Sequence, residues 1–131
     1  MIFVDTSALY ALVNQLDPKH DAARKILSAL VDRKEGLLTH NYVLLETTVL
    51  LHRRMGPAVA AAVRRHVSAL ELVWVDSALH ERADRVFSRA SRRNPSFVDC
   101  VSFVVMRERG LTEAFAFDVD FEKAGFKLLR A

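Results

Sequence analysis

The chain has 131 residues, of which 51% are hydrophobic and 27% charged, and its formal net charge is +3. That length fits one domain with a real core, and the composition excludes a disordered tail. The single cysteine, Cys100, excludes an internal disulfide framework and a cysteine-based zinc site, while the mild basic balance permits an anionic partner without requiring one.

Met1–Val4 is a short continuous apolar run, as a buried parallel strand should be. Asp5-Thr6-Ser7 follows, then helical spacing over Ala8–Leu16 and again over His20–Val31. Gly36 breaks that second helix, and Leu37–Thr39 reads as a second strand. Asn41 is placed to cap a helix running to about Arg54, and Gly56-Pro57 marks a boundary before a helical stretch over Ala58–Leu70. Leu72–Val75 reads as a strand, with Trp74 expected in the core, and Asp76 and Ser77 can cap a helix to about Arg92. Pro95-Ser96 opens a further helix that Gly110 closes. Ala114–Phe117 is an apolar strand ending on Asp118, and Phe126–Leu129 reads as a last edge strand. Alternating strands and helices predict an α/β domain with a mainly parallel sheet, spanning residues 1–131. No basic region precedes the first apolar run, and no apolar stretch approaches the ~18 residues of a membrane span. A soluble, cytoplasmic protein is the expectation.

Carboxylates carry the functional signal. Ligands of open parallel sheets bind beyond the carboxyl ends of the strands, and Asp5 and Asp118 both follow strands there. Each can instead be a helix cap, although Thr6 and Ser7 could cap as well as Asp5. Glu46 is the one charged side chain from Tyr42 to Leu51, in a helix apolar nearly all round, which implies burial. A lone buried carboxylate costs several kcal/mol unless a cation or hydrogen-bond donors meet it. Ser96-x-x-Asp99 has the form of a capping box, yet Cys100–Met106 is almost wholly apolar and sets Asp99 against the core. Asp99 could therefore cap with one oxygen and bind a cation with the other. Asp120 can cap the short Phe121–Ala124 turn or lend a further oxygen to an ion. Carboxylates crowded at one sheet edge repel, and hard divalent ions such as Mg²⁺ or Mn²⁺ remove that penalty. Ions held this way can activate water for phosphodiester displacement.

The segments Ile2–Leu9, Leu44–Thr47, Ser96–Phe103 and Phe117–Phe121 with Ala124–Phe126 resemble, in order and spacing, the acidic segments of PIN domains. The small form is similar to the VapC-type toxins of toxin–antitoxin systems. The resemblance implies a three-layer α/β/α sandwich and a Mg²⁺- or Mn²⁺-dependent endoribonuclease. It further implies a homodimer and an antitoxin protein that blocks the site. Asp5, Glu46, Asp99 and Asp118 match the acidic quartet of that family, and Asp120 falls where a further acid is frequent. Ala116 departs from the pattern, since Thr or Ser is common there.

Two groups of arginines offer phosphate contacts: Arg82, Arg85, Arg89, Arg92 and Arg93, and Arg53, Arg54, Arg64 and Arg65. Arg92 and Arg93 lie nearest Asp99 in sequence and are the first choice for RNA binding. The aromatic residues show no interleaving with basic ones of the kind that stacks single strands. His40 precedes the Glu46 helix and fits a capping or surface role better than a place in the site. Two rival readings use the same acids. A phospho-accepting receiver domain would be expected to pair adjacent early acids with a late lysine, whereas this chain has one early aspartate. A catalytically silent RNA-binding domain would have no need of the quartet.

Overall fold

The computed structural model describes residues 1–90 and 95–131. Its elements alternate as the composition predicts. They are β1 (Ile2–Val4), α1 (Thr6–Val13), α2 (His20–Asp32), β2 (Leu37–His40), α3 (Asn41–Met55) and α4 (Pro57–Val67). After these come β3 (Glu71–Val73), α5 (Ser77–Ser88), α6 (Phe97–Glu108), β4 (Glu113–Phe115), α7 (Asp120–Lys123) and β5 (Lys127–Leu128).

The five strands form one parallel sheet in the order β3-β2-β1-β4-β5. The continuous apolar run at the start of the chain takes the centre, where both faces are covered. Phe3 pairs with Leu38 of β2 on one side and Ala114 of β4 on the other. Successive side chains of β1 serve opposite faces. Phe3 stacks on Phe121 of α7 and tilts against His40. Val4 points the other way, into an apolar groove shared with Leu9 and Leu12 of α1, Leu27 of α2, and Val63 and Val67 of α4. Helices α1, α2 and α4 therefore cover one face and α5, α6 and α7 the other, giving three α/β/α layers. Helix α3 leaves the end of β2 and packs on α1 and α4 as well as on α6. Gly56 joins α3 to α4 at φ +89°, a backbone angle glycine adopts without strain.

Several boundaries differ from the sequence expectation. Helix α1 begins at Thr6, because Asp5 is its cap, and it ends at Val13, so Leu16 stands outside it at 92% exposure. Strand β4 ends at Phe115, leaving two residues before Asp118. Helix α5 ends at Ser88, short of Arg92. Trp74 is not in the core. It lies just past the end of β3, the edge strand, and is 70% exposed. Pairing ends at Val73, which packs on the core, so Trp74 falls outside the sheet.

Candidate metal centre at the sheet edge

The strand order reverses direction at β1: β2 lies on one side of it, β4 on the other. The crevice opening between β1 and β4 is the topological switch point at which open α/β sheets hold their ligands. Asp5 follows β1 directly there, and its backbone amide donates to Phe115 O at the end of β4 (3.0 Å). Asp118 follows β4 three residues later. The two acids thus face one crevice from adjacent strands.

Ser7 joins them. Its hydroxyl donates to Asp5 Oδ2 at 2.7 Å and accepts from the Phe117 amide at 2.9 Å. The Ser7 amide also donates to Asp5 Oδ2 at 3.1 Å. Capping therefore falls to Asp5 itself and not to Thr6 or Ser7, while Ser7 ties the start of α1 to the segment carrying Asp118. Helix α3 is pinned to the same place by Thr47, whose hydroxyl donates to Thr6 Oγ1 at 3.2 Å.

Asp99 closes the capping box read from the sequence. Ser96 Oγ accepts from the Asp99 amide, and Asp99 Oδ2 accepts from the Ser96 amide, each at 3.1 Å. Asp118 Oδ1 accepts from the Asp120 amide at 2.9 Å, which turns the chain into α7. Asp120 is the first residue of that helix and not its cap. Carboxylate oxygens of Asp99, Asp118 and Asp120 lie within 4.8 Å of one another, the closest acidic grouping of this kind among the described residues. Among the described residues, the hydrogen bonds that Asp5, Asp99 and Asp118 accept from neighbouring amides and hydroxyls fall on one oxygen of each carboxylate.

Crowding and burial show in the acidities. Burial, with smaller contributions from the charges of Glu46 and Asp118, pushes the Asp5 carboxyl up to about 6 despite its bonds from Ser7. Burial also pushes Asp99 up to about 7, helped by the charges of Asp5 and Asp118. Asp120 is raised as well, by desolvation and by Asp118 beside it. These groups resist ionisation in the absence of a cation, and a hard divalent ion would reverse that balance. A set of carboxylate oxygens alone suits a hard divalent cation.

Glu46 is placed differently from the sequence reading. Helix α3 buries Val43, Thr47 and Leu51, but Leu45 is 61% and Val49 47% exposed, and Glu46 is half-buried. An apolar helix surface did not mean a buried one, because one face of α3 has no layer above it in this chain. Glu46 is close enough to Asp5 to disfavour its charge. The buried acids of the site are Asp5, Asp99 and Asp120.

His40 is wholly buried and caps α3, its Nδ1 accepting from the Tyr42 and Val43 amides at 3.2 and 3.3 Å. With Nδ1 an acceptor, Nε2 carries the hydrogen and donates to Ser102 Oγ at 2.8 Å, and Ser102 in turn donates to Val98 O. Burial holds the imidazole neutral, its pKa lowered to about 3. The chain His40–Ser102–Val98 links the helix of Glu46 to that of Asp99. Ser7 and Ser102 gave no motif in the sequence; only the strand-end position of Asp5-Thr6-Ser7 could have drawn attention to Ser7.

Of the arginines, Arg92 and Arg93 lie outside the described residues. Arg82 is held by Glu108 in a two-pronged ion pair (2.6 and 3.0 Å), and Arg54 lies over the Tyr10 ring and donates to its hydroxyl. Arg85, Arg89, Arg53, Arg64 and Arg65 are exposed.

The chain matches the PIN domain family over residues 2–127. It is 42% identical, over 99% of its length and 98% of theirs, to the 23S rRNA-specific endonuclease VapC20 of two Mycobacterium tuberculosis strains, CDC 1551 / Oshkosh and H37Rv. The crystal structure of M. tuberculosis VapC20, described as a sarcin–ricin loop cleaving toxin, superposes with a TM-score of 0.89 at 40% identity, covering 100% of both chains. DNA-bound VapBC assemblies share the fold at low identity. That of Rickettsia felis VapBC2 has a TM-score of 0.70 at 12% identity, and that of Salmonella typhimurium 0.65 at 14%, each covering 98% of both chains.

Proposed function

This chain belongs to the PIN-domain family, among its VapC-type endonuclease toxins, and from that premise we propose a Mg²⁺- or Mn²⁺-dependent endoribonuclease that cuts the sarcin–ricin loop of 23S rRNA. The observation that carries the reading is the convergence of Asp99, Asp118 and Asp120 at the β1/β4 switch point, with Asp5 buried close enough to raise Asp99 further. Asp99, Asp118 and Asp120, whose oxygens lie within 4.8 Å of one another, would hold the ion together with Asp5 and Glu46. A divalent ion bound there supplies the positive charge that activates water and steadies the departing oxygen. Asp5 and Asp99 meet it as rigid ligands, since each is fixed through a helix cap. Ser7 sets the spacing between Asp5 and the Asp118 segment. Full-length identity to VapC20 supports the substrate assignment. The receiver reading gives way to the family match.

Two partners belong to the same proposal. A second copy of the chain would cover Leu45 and Val49, apolar side chains that α3 leaves in water. An antitoxin protein would occlude the acidic crevice. Arg92 and Arg93, which lie outside the described residues and precede α6 in the sequence, keep their proposed role in phosphate binding.

The test is incubation of a sarcin–ricin loop hairpin, and of whole 23S rRNA, with purified protein and Mn²⁺. One cut within the loop is expected, stopped by EDTA and absent in Asp5→Asn and Asp99→Asn. Intact loop RNA across Mg²⁺ and Mn²⁺, or full activity in both variants, would overturn the assignment.

A further inference from the structure

Four aromatic rings that the sequence scatters over three helices meet in one cluster. Tyr42 comes from α3, His80 and Phe87 from α5, and Phe97 from α6. Ring centroids are 4.8 Å apart for His80 and Phe97, 5.4 Å for Phe87 and Phe97, and 5.8 Å for Tyr42 and His80. The Tyr42 hydroxyl is hydrogen-bonded to His80 Nδ1 at 2.7 Å, which fixes both rings. The group is not a core. His80 is exposed, Phe87 is 40% exposed, and Tyr42 and Phe97 are half-buried.

On α3 this patch continues the stripe of Leu45 and Val49, since Tyr42 lies three and seven residues before them; His80, Phe87 and Phe97 carry it onto α5 and α6. Tyr42 and Glu46 are four residues apart on α3, so they share a face with about one turn, ~5.4 Å, between them. Phe97 and Asp99 are the first and third residues of α6, in its opening turn. Two positions apart, Phe97 and Asp99 point to different sides of α6; the route from the rings toward the acidic crevice runs along α3 from Tyr42 to Glu46, which is close enough to Asp5 to disfavour its charge. A strand whose phosphate sits at the carboxylates therefore brings a neighbouring base over the rings. Loop nucleotides of RNA are recognised through such unstacked bases, by aromatic faces and by polar groups at base edges. The patch offers both: the Phe87 ring, 40% exposed, is open to water, and the exposed His80 imidazole adds a polar ring beside it.

We propose that His80, Phe87, Phe97 and Tyr42 form a nucleobase-binding site that stacks an unpaired base next to the phosphate to be cut. The site sets which nucleotide may flank the cut and rests on the ribonuclease reading above.

The experiment compares His80→Ala, Phe87→Leu and the double variant with the unaltered protein. Both positions are exposed, so folding should survive, and thermal midpoints check it. With Mn²⁺ and the loop hairpin, the double variant should raise KM by about tenfold, the scale of one base–aromatic stack, while kcat stays within about twofold. Removing the flanking base from the RNA should raise KM of the unaltered protein by a similar factor and leave the double variant unaffected. With Ca²⁺ replacing Mn²⁺, 2-aminopurine at the flanking position should be quenched by the unaltered protein and not by the double variant. Cleavage by the unaltered protein with unchanged KM in the variants overturns the base site and leaves the nuclease standing. Absence of both cleavage and quenching overturns both. A variant that loses RNA affinity only because an oligomer dissociates, seen by size-exclusion chromatography, assigns the rings to a subunit contact and overturns the base site.

Discussion

Replacing Asp99 by Asn separates stability from function in a direction that the geometry fixes. In the metal-free protein the Asp99 carboxyl is pushed up from 3.8 to about 7, chiefly by burial and then by Asp5 and Asp118. A folded-state pKa above the unfolded one means that the folded protein holds the proton more tightly. Stability from this group is therefore complete below about pH 4 and is lost as pH rises through about 7. Roughly three pKa units correspond to ~4 kcal/mol of penalty on the ionised form. Water reaches part of the side chain, so about half of that, ~2 kcal/mol, is the expected effect. Asparagine keeps the oxygen that accepts from the Ser96 amide and so keeps the capping box, but it carries no charge. In EDTA near pH 8, Asp99→Asn should melt higher than the unaltered protein by roughly 6–10 °C, scaling ~2 kcal/mol by the size of the chain. Near pH 5 the difference should shrink, because the unaltered carboxyl is then protonated. With millimolar Mn²⁺ the order should reverse, since an ion binding the folded state stabilises it by ~2.7 kcal/mol at a hundred times its dissociation constant. Thermal unfolding of both proteins across that pH range, with EDTA and with Mn²⁺, measures all three effects. An Asn variant that melts no higher in EDTA at either pH, or that gains as much from Mn²⁺ as the unaltered protein, refutes the reasoning.

Three further expectations concern the supports of the site. Ser7→Ala removes the bonds to Asp5 Oδ2 and to the Phe117 amide; a loss of ~1–3 kcal/mol in chemical denaturation is expected, with kcat down by about tenfold or more. His40→Leu strips the cap from α3 and leaves Ser102 short of a partner, which should destabilise by roughly 2–3 kcal/mol. His40 also titrates with the opposite sign to Asp99: its folded pKa, about 3, lies below its usual 6.5, so its contribution is present above 6.5 and lost as pH falls. The variant should accordingly flatten the acid limb of the stability curve, followed by circular dichroism from about pH 7 to 4. Leu45→Asp with Val49→Lys should yield a monomer in analytical ultracentrifugation if a second copy covers α3, and an unchanged sedimentation coefficient would remove that assignment.

The sheet was legible because parallel, doubly covered strands leave continuous apolar runs, and Ile2–Val4 is such a run placed where it must be central. Three-residue strands at the edges were blurred for the converse reason. At β3 the pattern extends through Trp74 and Val75, but pairing ends at Val73, and sequence cannot tell a side chain packed under a helix from one past the strand's end. The Asp5 and Asp118 positions were readable from strand ends, and the Asp99 capping box from its four residues. What sequence could not supply was the difference between apolar and buried. Glu46 drew attention as a charge in an apolar helix, yet Leu45 and Val49 beside it are open to water. The strained carboxylates are Asp5 and Asp99, whose burial comes from contacts across chain separations that no local pattern records.

That difference changes how the site can be understood. A capping carboxylate has one oxygen engaged by amides and one left over; at an exposed helix end the spare oxygen is hydrated and the residue is merely a cap. Here two such carboxylates, Asp5 as the cap of α1 and Asp99 as the third-residue partner of the Ser96 cap in the box that opens α6, are buried near Asp118, so hydration of the spare oxygens is curtailed and their charges repel. Capping and cation binding are then not rival explanations of the same residue. The cap fixes each carboxylate on rigid backbone, which removes the ordering cost a flexible ligand would bring to the ion, and the burial makes the fixed pair unfavourable until the ion arrives. A capping carboxylate becomes part of a metal site when its helix end is buried beside other acids; at the β1/β4 switch point the strand order sets Asp5 beside the segment of Asp118, and α6, which runs back to the start of β4, brings Asp99 to the same edge.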